Sequence, residues 1–139
     1  MTFEPLEGIR VIDFTRLLAG PYATMTLAEL GADVIKVEIP EVGDETRTWG
    51  PPFIDETSAY FHAINRGKRS VVLDLRHDEG REAAFELIAT ADIVVENFRP
   101  GVADRLGIGP DQVLARFPHI IYGSISGFGA NGPMSEHPG

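Results

Sequence analysis

At 139 residues with 43% hydrophobic side chains, the chain is long enough to bury one ordinary core and short for several domains. A formal net charge of −9 argues against a broad phosphate-neutralising surface, so nucleic acid is not expected as a partner. The absence of cysteine excludes disulfides, thiolate nucleophiles and thiolate-ligated metals, and no run approaches the roughly twenty apolar residues of a membrane span. The start Met-Thr-Phe-Glu-Pro has no basic-then-apolar secretory pattern, so the sequence predicts a cytoplasmic protein with no membrane partner.

Ile9, Val11 and Ile12 predict a short buried strand, and Gly20-Pro21 opens a helix in whose first turn proline is tolerated. That helix is expected from Pro21 to Leu30, with Gly31 as its stop, and Asp33-Val34-Ile35-Lys36-Val37-Glu38 is expected as the second strand of a parallel βαβ unit. From Pro40 to about Thr57 the pattern is lost in a segment rich in Gly, Pro, Asp and Glu, long enough to suggest a functional or mobile loop.

Val71 to Leu75 reads as the third strand, Asp78 to about Thr90 as a helix with acidic residues in its first turn, and Asp92 to Glu96 as the fourth strand. A short helical piece over Val102 to Leu106, a helix from Gly109-Pro110 to Phe117 and a fifth strand over His119 to Ile125 follow. The expectation is an α/β fold: a Rossmann-like, doubly wound, mostly parallel sheet. The glycine-rich tail from Ser126 to Gly139 holds no helix that would close such a domain, and reads as a cut within a longer unit.

Seven of the twelve basic residues fall between Arg66 and Arg105. Arg76 follows the third predicted strand, while Arg99 and Arg105 follow the fourth. The carboxyl ends of parallel strands share one edge, so these three guanidinium groups can converge on a polyanion beside the first strand's turn. The competing reading makes each arginine a solvated partner of the surplus carboxylates. No Walker motif and no G-x-G-x-x-G follows a strand, which argues against an ordinary ATP or dinucleotide cradle. The four histidines show no metal-ligand spacing, and no metal is expected.

Leu6-Glu7-Gly8-Ile9-Arg10-Val11-Ile12-Asp13-Phe14, Ala19-Gly20-Pro21 and Leu30-Gly31-Ala32-Asp33-Val34-Ile35-Lys36-Val37-Glu38 together resemble the start of family III CoA-transferases. That family includes the formyl-CoA and crotonobetainyl-CoA:carnitine transferases and is related to the α-methylacyl-CoA racemases. Asn65-Arg66-Gly67-Lys68-Arg69-Ser70, Leu73-Asp74-Leu75, Val95-Glu96-Asn97-Phe98-Arg99-Pro100-Gly101 and Ser126-Gly127-Phe128-Gly129 continue the resemblance over the whole chain. The family's subunits are much longer.

The resemblance implies that residues 1–139 are the N-terminal portion of a Rossmann-like domain that binds coenzyme A or acyl-CoA as substrate, in an interlocked homodimer acting on a carboxylic acid acceptor. It implies cofactor contacts at the backbone of Leu18 and Ala19 for the pantetheine or thioester region. Further contacts at Leu73, Leu75, Arg76, Asn97, Phe98, Arg99 and Arg105 would serve the adenosine and its phosphates. Lys68 and Arg69 remain open between ligand contact and anchoring of the third strand. Leu18 stands where some transferases carry a polar side chain, and Ile39-Pro40 where they carry a phosphate-binding arginine.

In the family an aspartate carboxylate carries covalent catalysis, and the resemblance places it beyond Gly139, so no catalytic residue is assigned within the chain. Three readings follow: a CoA-transferase, a 2-methylacyl-CoA racemase, and, for 139 residues alone, a non-catalytic CoA-binding fragment. The long segment before Tyr60, with Trp49-Gly50-Pro51-Pro52, favours the transferase.

Overall fold

The computed structural model describes residues 3–135 and 137. Five strands form one wholly parallel sheet: β1 (Arg10–Asp13), β2 (Asp33–Glu38), β5 (Arg69–Val72), β6 (Ile93–Glu96) and β7 (Ile121–Ser124). Their spatial order is β5-β2-β1-β6-β7, so the chain winds outward one way from β1 and then returns to add β6 on its other side. The gap between the carboxyl ends of β1 and β6 is therefore the topological switch point, where ligands sit in open α/β sheets. Between β2 and β5 lie a 3-10 turn (Glu45–Thr48), a two-stranded hairpin of β3 (Phe53–Ile54) and β4 (Thr57–Ser58), and α2 (Ala59–Ile64). The remaining helices are α1 (Ala19–Glu29), α3 (Asp78–Ile88), α4 (Val102–Arg105) and α5 (Pro110–Arg116).

The period-two alternation of the strands divides the core between two faces. Val11, Val34 and Val95 point to the α1 side, where Leu27 and Ala28 pack on them. Ile12, Ile35 and Val94 point the other way, onto Ala84, Phe85 and Ile88 of α3, Val113 of α5, and Ile108. Each such fully buried aliphatic side chain contributes about 1.5–3 kcal/mol relative to its exposed state. Helices on both faces and an all-parallel sheet agree with the doubly wound expectation.

The segment from Pro40 to Thr57 is more ordered than its composition predicts. Asp44 caps the 3-10 turn by accepting from Thr46 N at 3.0 Å, and Ser58 caps α2 by accepting from Phe61 N at 3.0 Å. Asp55 and Glu56, both at positive φ, make the tight hairpin between β3 and β4. The third sheet strand also sits earlier than the apolar run Val71 to Leu75 predicts. Leu73 N still donates to Glu38 O, but Asp74 then turns the chain by accepting from Arg76 N through its side chain and from His77 N through its carbonyl. That turn takes Leu75 and Arg76 out of the sheet, a local bonding preference that overrides apolar periodicity.

Candidate functional site

Asp13 ends β1 fully buried, and its carboxylate organises the turn that follows. It accepts from Thr15 N at 2.9 Å, Thr15 Oγ1 at 2.5 Å, Thr24 Oγ1 at 2.6 Å and Lys68 Nζ at 2.9 Å. Lys68 uses its other donors on Pro21 O and Asn65 Oδ1, so its role in this structure is to tie the first turn of α1 to the end of α2. Burial pushes the Lys68 ammonium below its ordinary value, against the opposing pull of Asp13. Arg69 pairs instead with Asp33, at the start of β2.

Beyond Thr15 the chain runs through Arg16, Leu17 and Leu18 into α1. Leu17 holds φ at 66°, a left-handed conformation that leucine adopts only under constraint. Gly20 is required at the helix start, because a Cβ there would lie 2.3 Å from that of Thr15. Across the switch point, Asn97 of the β6 turn grips the Arg16 backbone from both sides: Arg16 N donates to Oδ1 and Nδ2 donates to Arg16 O, each at 2.8 Å.

Two cavities open along this edge, with Phe98 in the wall of both. The first, about 530 Å³, is lined by Arg16, Ile39, Pro40, Leu75, Arg76 and Phe98, with Asp74 and Glu41 also at its rim. The second, about 550 Å³, is lined by Leu17, Leu18, Ala19, Asn97, Phe98 and Arg99, and by the loop from Ile125 to Gly127. The first therefore combines apolar walls with two guanidinium groups, and the second lies against the start of α1, whose leading N–H groups make it hospitable to negative charge.

Arg76 projects three-quarters into solvent and forks onto Asp74, Nε at 2.8 Å and Nη2 at 2.7 Å, which holds the Asp74 carboxyl well below the ordinary carboxylate range. This engages one edge of the fork, and Nη1 has no hydrogen-bond partner among the described residues. The guanidinium of Arg16 lies 5.2 Å from the Phe98 ring centre, a cation–π distance, and both residues line the first cavity. Nothing in the sequence pattern singled out Arg16, although a cation immediately after the first strand was the available signal.

The sequence-derived candidates thus divide. Leu75, Arg76 and Phe98 line the first cavity; Leu18, Ala19, Asn97, Phe98 and Arg99 line the second. Leu73 packs against the core on the α3 side, and Arg105 lies in α4 outside both linings. Arg76 and Arg99 are brought to one edge but into different cavities, a two-part arrangement that strand-end placement alone does not resolve.

The family model for CoA-transferase family III matches residues 6–139. This chain belongs to that family. It is 49% identical over 138 residues to succinyl-CoA:glutarate CoA-transferase of Mus musculus, covering 99% of this chain and 32% of the relative. Acetyl-CoA:oxalate CoA-transferase of Acetobacter aceti is 49% identical over 135 residues, covering 96% of this chain and 34% of the relative. Among solved structures, a CAIB/BAIF family protein from Brucella suis superposes with a TM-score of 0.92 at 53% identity, over 97% of this chain and 36% of that one. This family III chain spans about a third of the length of the relatives it matches. Among its described residues no cluster of three His, Asp or Glu could hold a metal ion, and no helix is long and apolar enough to cross a membrane.

Proposed function

We propose that residues 1–139 are the N-terminal part of a CoA-binding domain, in an enzyme that moves CoA from an acyl-CoA donor to a carboxylic acid. The observation that carries this reading is the pair of cavities meeting at Phe98 across the switch point. Arg16 and Arg76 with the apolar wall of Ile39 and Leu75 suit a phosphorylated adenosine. The start of α1 at Leu18 and Ala19 suits the pantetheine arm and its thioester. Arg99, and Arg105 at longer range, would supply further charge toward the phosphates.

The chemistry assigned to the whole enzyme is carboxylate exchange at a thioester, with the nucleophilic aspartate outside this chain. Its carboxylate attacks the thioester carbonyl, the C–S bond breaks, and CoA leaves as thiolate from a mixed anhydride. The thiolate then attacks the aspartyl carbonyl, releasing the donor acid and leaving an aspartyl-CoA thioester, which the acceptor carboxylate resolves by the same two steps in reverse. This chain's part is to hold CoA through both halves, so that the thiolate is not lost between them. The N–H groups at the start of α1 favour the negative charge that develops there. The relatives named as succinyl-CoA:glutarate and acetyl-CoA:oxalate transferases support dicarboxylates as acceptors. A cytoplasmic, interlocked homodimer completes the proposal.

The test is CoA exchange by the full-length protein, with succinyl-CoA as donor and glutarate or oxalate as acceptor, read by mass spectrometry. Transfer that disappears when the downstream aspartate is replaced supports the reading. Exchange of the α-proton of a 2-methylacyl-CoA without transfer would make the protein a racemase, and CoA binding without either reaction would leave only the binding role. Light scattering reads the assembly.

A further inference from the structure

The α1 side of the sheet changes character along its strands. Toward the carboxyl ends Val11 is followed on this face by Asp13, and Val34 by Lys36 and Glu38, all three buried. Lys36 is 1% exposed and lines neither cavity; its Nζ donates to Thr15 O at 2.7 Å and lies 2.9 Å from Asp44 Oδ2. Thr15 belongs to the turn that leads into Leu17 and Leu18. Asp44 belongs to the 3-10 turn, where it takes Thr46 N at 3.0 Å and Thr46 Oγ1 at 2.8 Å, and Thr46 O in turn receives Trp49 N at 3.2 Å.

One ammonium group thus joins two segments that are distant in sequence. On one side is the turn at the start of α1; on the other is the segment that carries the half-exposed indole of Trp49, whose ring centre lies 5.5 Å from that of Tyr60 at a tilt of 44°. Burying a lysine–aspartate pair is a poor way to gain stability, because desolvation offsets most of the attraction and an apolar pair of equal volume often does as well. What such a pair supplies is a fixed relative position: each partner left alone would be a buried charge, so the two segments are held in one arrangement.

Resting on the CoA-binding reading, we propose that Lys36 is a positioning residue that couples the turn at Leu17 and Leu18 to the Trp49 segment, so that ordering one orders the other. The test is hydrogen exchange of the full-length protein, read on peptides spanning residues 14–17 and 44–49, with and without CoA. Asp44→Asn keeps an oxygen for Thr46 N but removes the charge that holds Lys36. It should speed exchange of Thr15 and Arg16, which Asp44 does not touch, roughly tenfold, while peptides of α3 stay unchanged. Lys36→Met should loosen both peptides together.

Faster exchange confined to 44–49 in Asp44→Asn would overturn the coupling, as would equal acceleration throughout the protein; if Lys36→Met does not fold, Asp44→Asn decides alone. CoA should slow exchange at 14–17 in both proteins, and at 44–49 only when Asp44 is present. No slowing by CoA anywhere would sink the CoA-binding reading, whereas the comparison without ligand would still decide the role of Lys36.

Discussion

The side-chain amide of Asn97 substitutes for a neighbouring strand at Arg16, accepting from its N–H and donating to its carbonyl at 2.8 Å each. These two bonds close the switch point where β1 and β6 diverge, and they use both ends of the amide. On the CoA-binding reading, Asn97 would therefore serve the ligand by placing Arg16. Asn97→Ala leaves a partly buried backbone pair unpartnered and should cost about 1–3 kcal/mol in urea denaturation. Asn97→Asp, which keeps the acceptor and turns the donor into a repelling oxygen, should lose CoA affinity as well, read by calorimetry.

Arg76 presents the opposite balance. Its pair with Asp74 is exposed, so Arg76→Ala should leave the thermal midpoint nearly unchanged. CoA affinity should fall roughly tenfold, the loss expected of one charged hydrogen-bond partner, and the difference should shrink as salt rises. Asp74→Asn frees the whole guanidinium fork and should tighten CoA binding at low salt. Equal calorimetric affinities for wild type and both variants would remove Arg76 from the phosphate site.

Gly80 lies in the first turns of α3, where glycine to alanine ordinarily stabilises an exposed helix by about 1 kcal/mol. Here the sign reverses. A Cβ on Gly80 would stand 2.0 Å from the carbonyl oxygen of Asp74, which the backbone cannot give way to cheaply. Gly80→Ala should destabilise by about 1–3 kcal/mol and displace the turn that carries Leu75 and Arg76. Denaturation and CoA calorimetry on the same variant check both effects.

Glu38 supplies the pH dependence. Burial pushes its carboxyl up, but the Arg47 fork at 2.6 and 2.7 Å, the Ser70 hydroxyl and the Asp44 amide outweigh that and hold it down to about 2. The native state therefore binds the Glu38 proton less tightly than the unfolded chain does. The stabilisation is complete above the unfolded value of 4.5 and is lost as pH falls from there toward 2. Its size is on the order of 3 kcal/mol. Thermal midpoints of wild type and Glu38→Gln should differ most at pH 7, and the gap should narrow steadily as pH falls from 4.5 toward 2; a gap as wide at pH 2 as at pH 7 would argue against this origin.

These residues mark what was legible in the sequence. The strands and most helices follow from β-branched runs and from Gly and Pro punctuation, and the edge along which the two cavities open follows from strand ends. Of the CoA contacts the resemblance implies, Leu18, Ala19, Leu75, Arg76, Asn97, Phe98 and Arg99 line the cavities. Lys36 and Glu38 were not legible as buried, because an alternating strand pattern reads charged positions as solvent-facing, and the opposite charges that offset their burial, Asp44 and Arg47, come from the long segment. The early end of β5 was hidden for a related reason: Asp74 bonds to its own neighbours and stops the ladder where the apolar run continues.

Phe98 stands in the wall of both cavities, and under the proposed function that placement would make the site a gauge of length. A molecule filling one cavity gains only that cavity's contacts. One long enough to bend round the ring presents its second end at a local concentration far above that in solution, so the two halves reinforce each other without any added contact. On the CoA-binding reading, severed halves, a nucleotide without its arm or an arm without its nucleotide, would forfeit that advantage and compete poorly with the intact carrier.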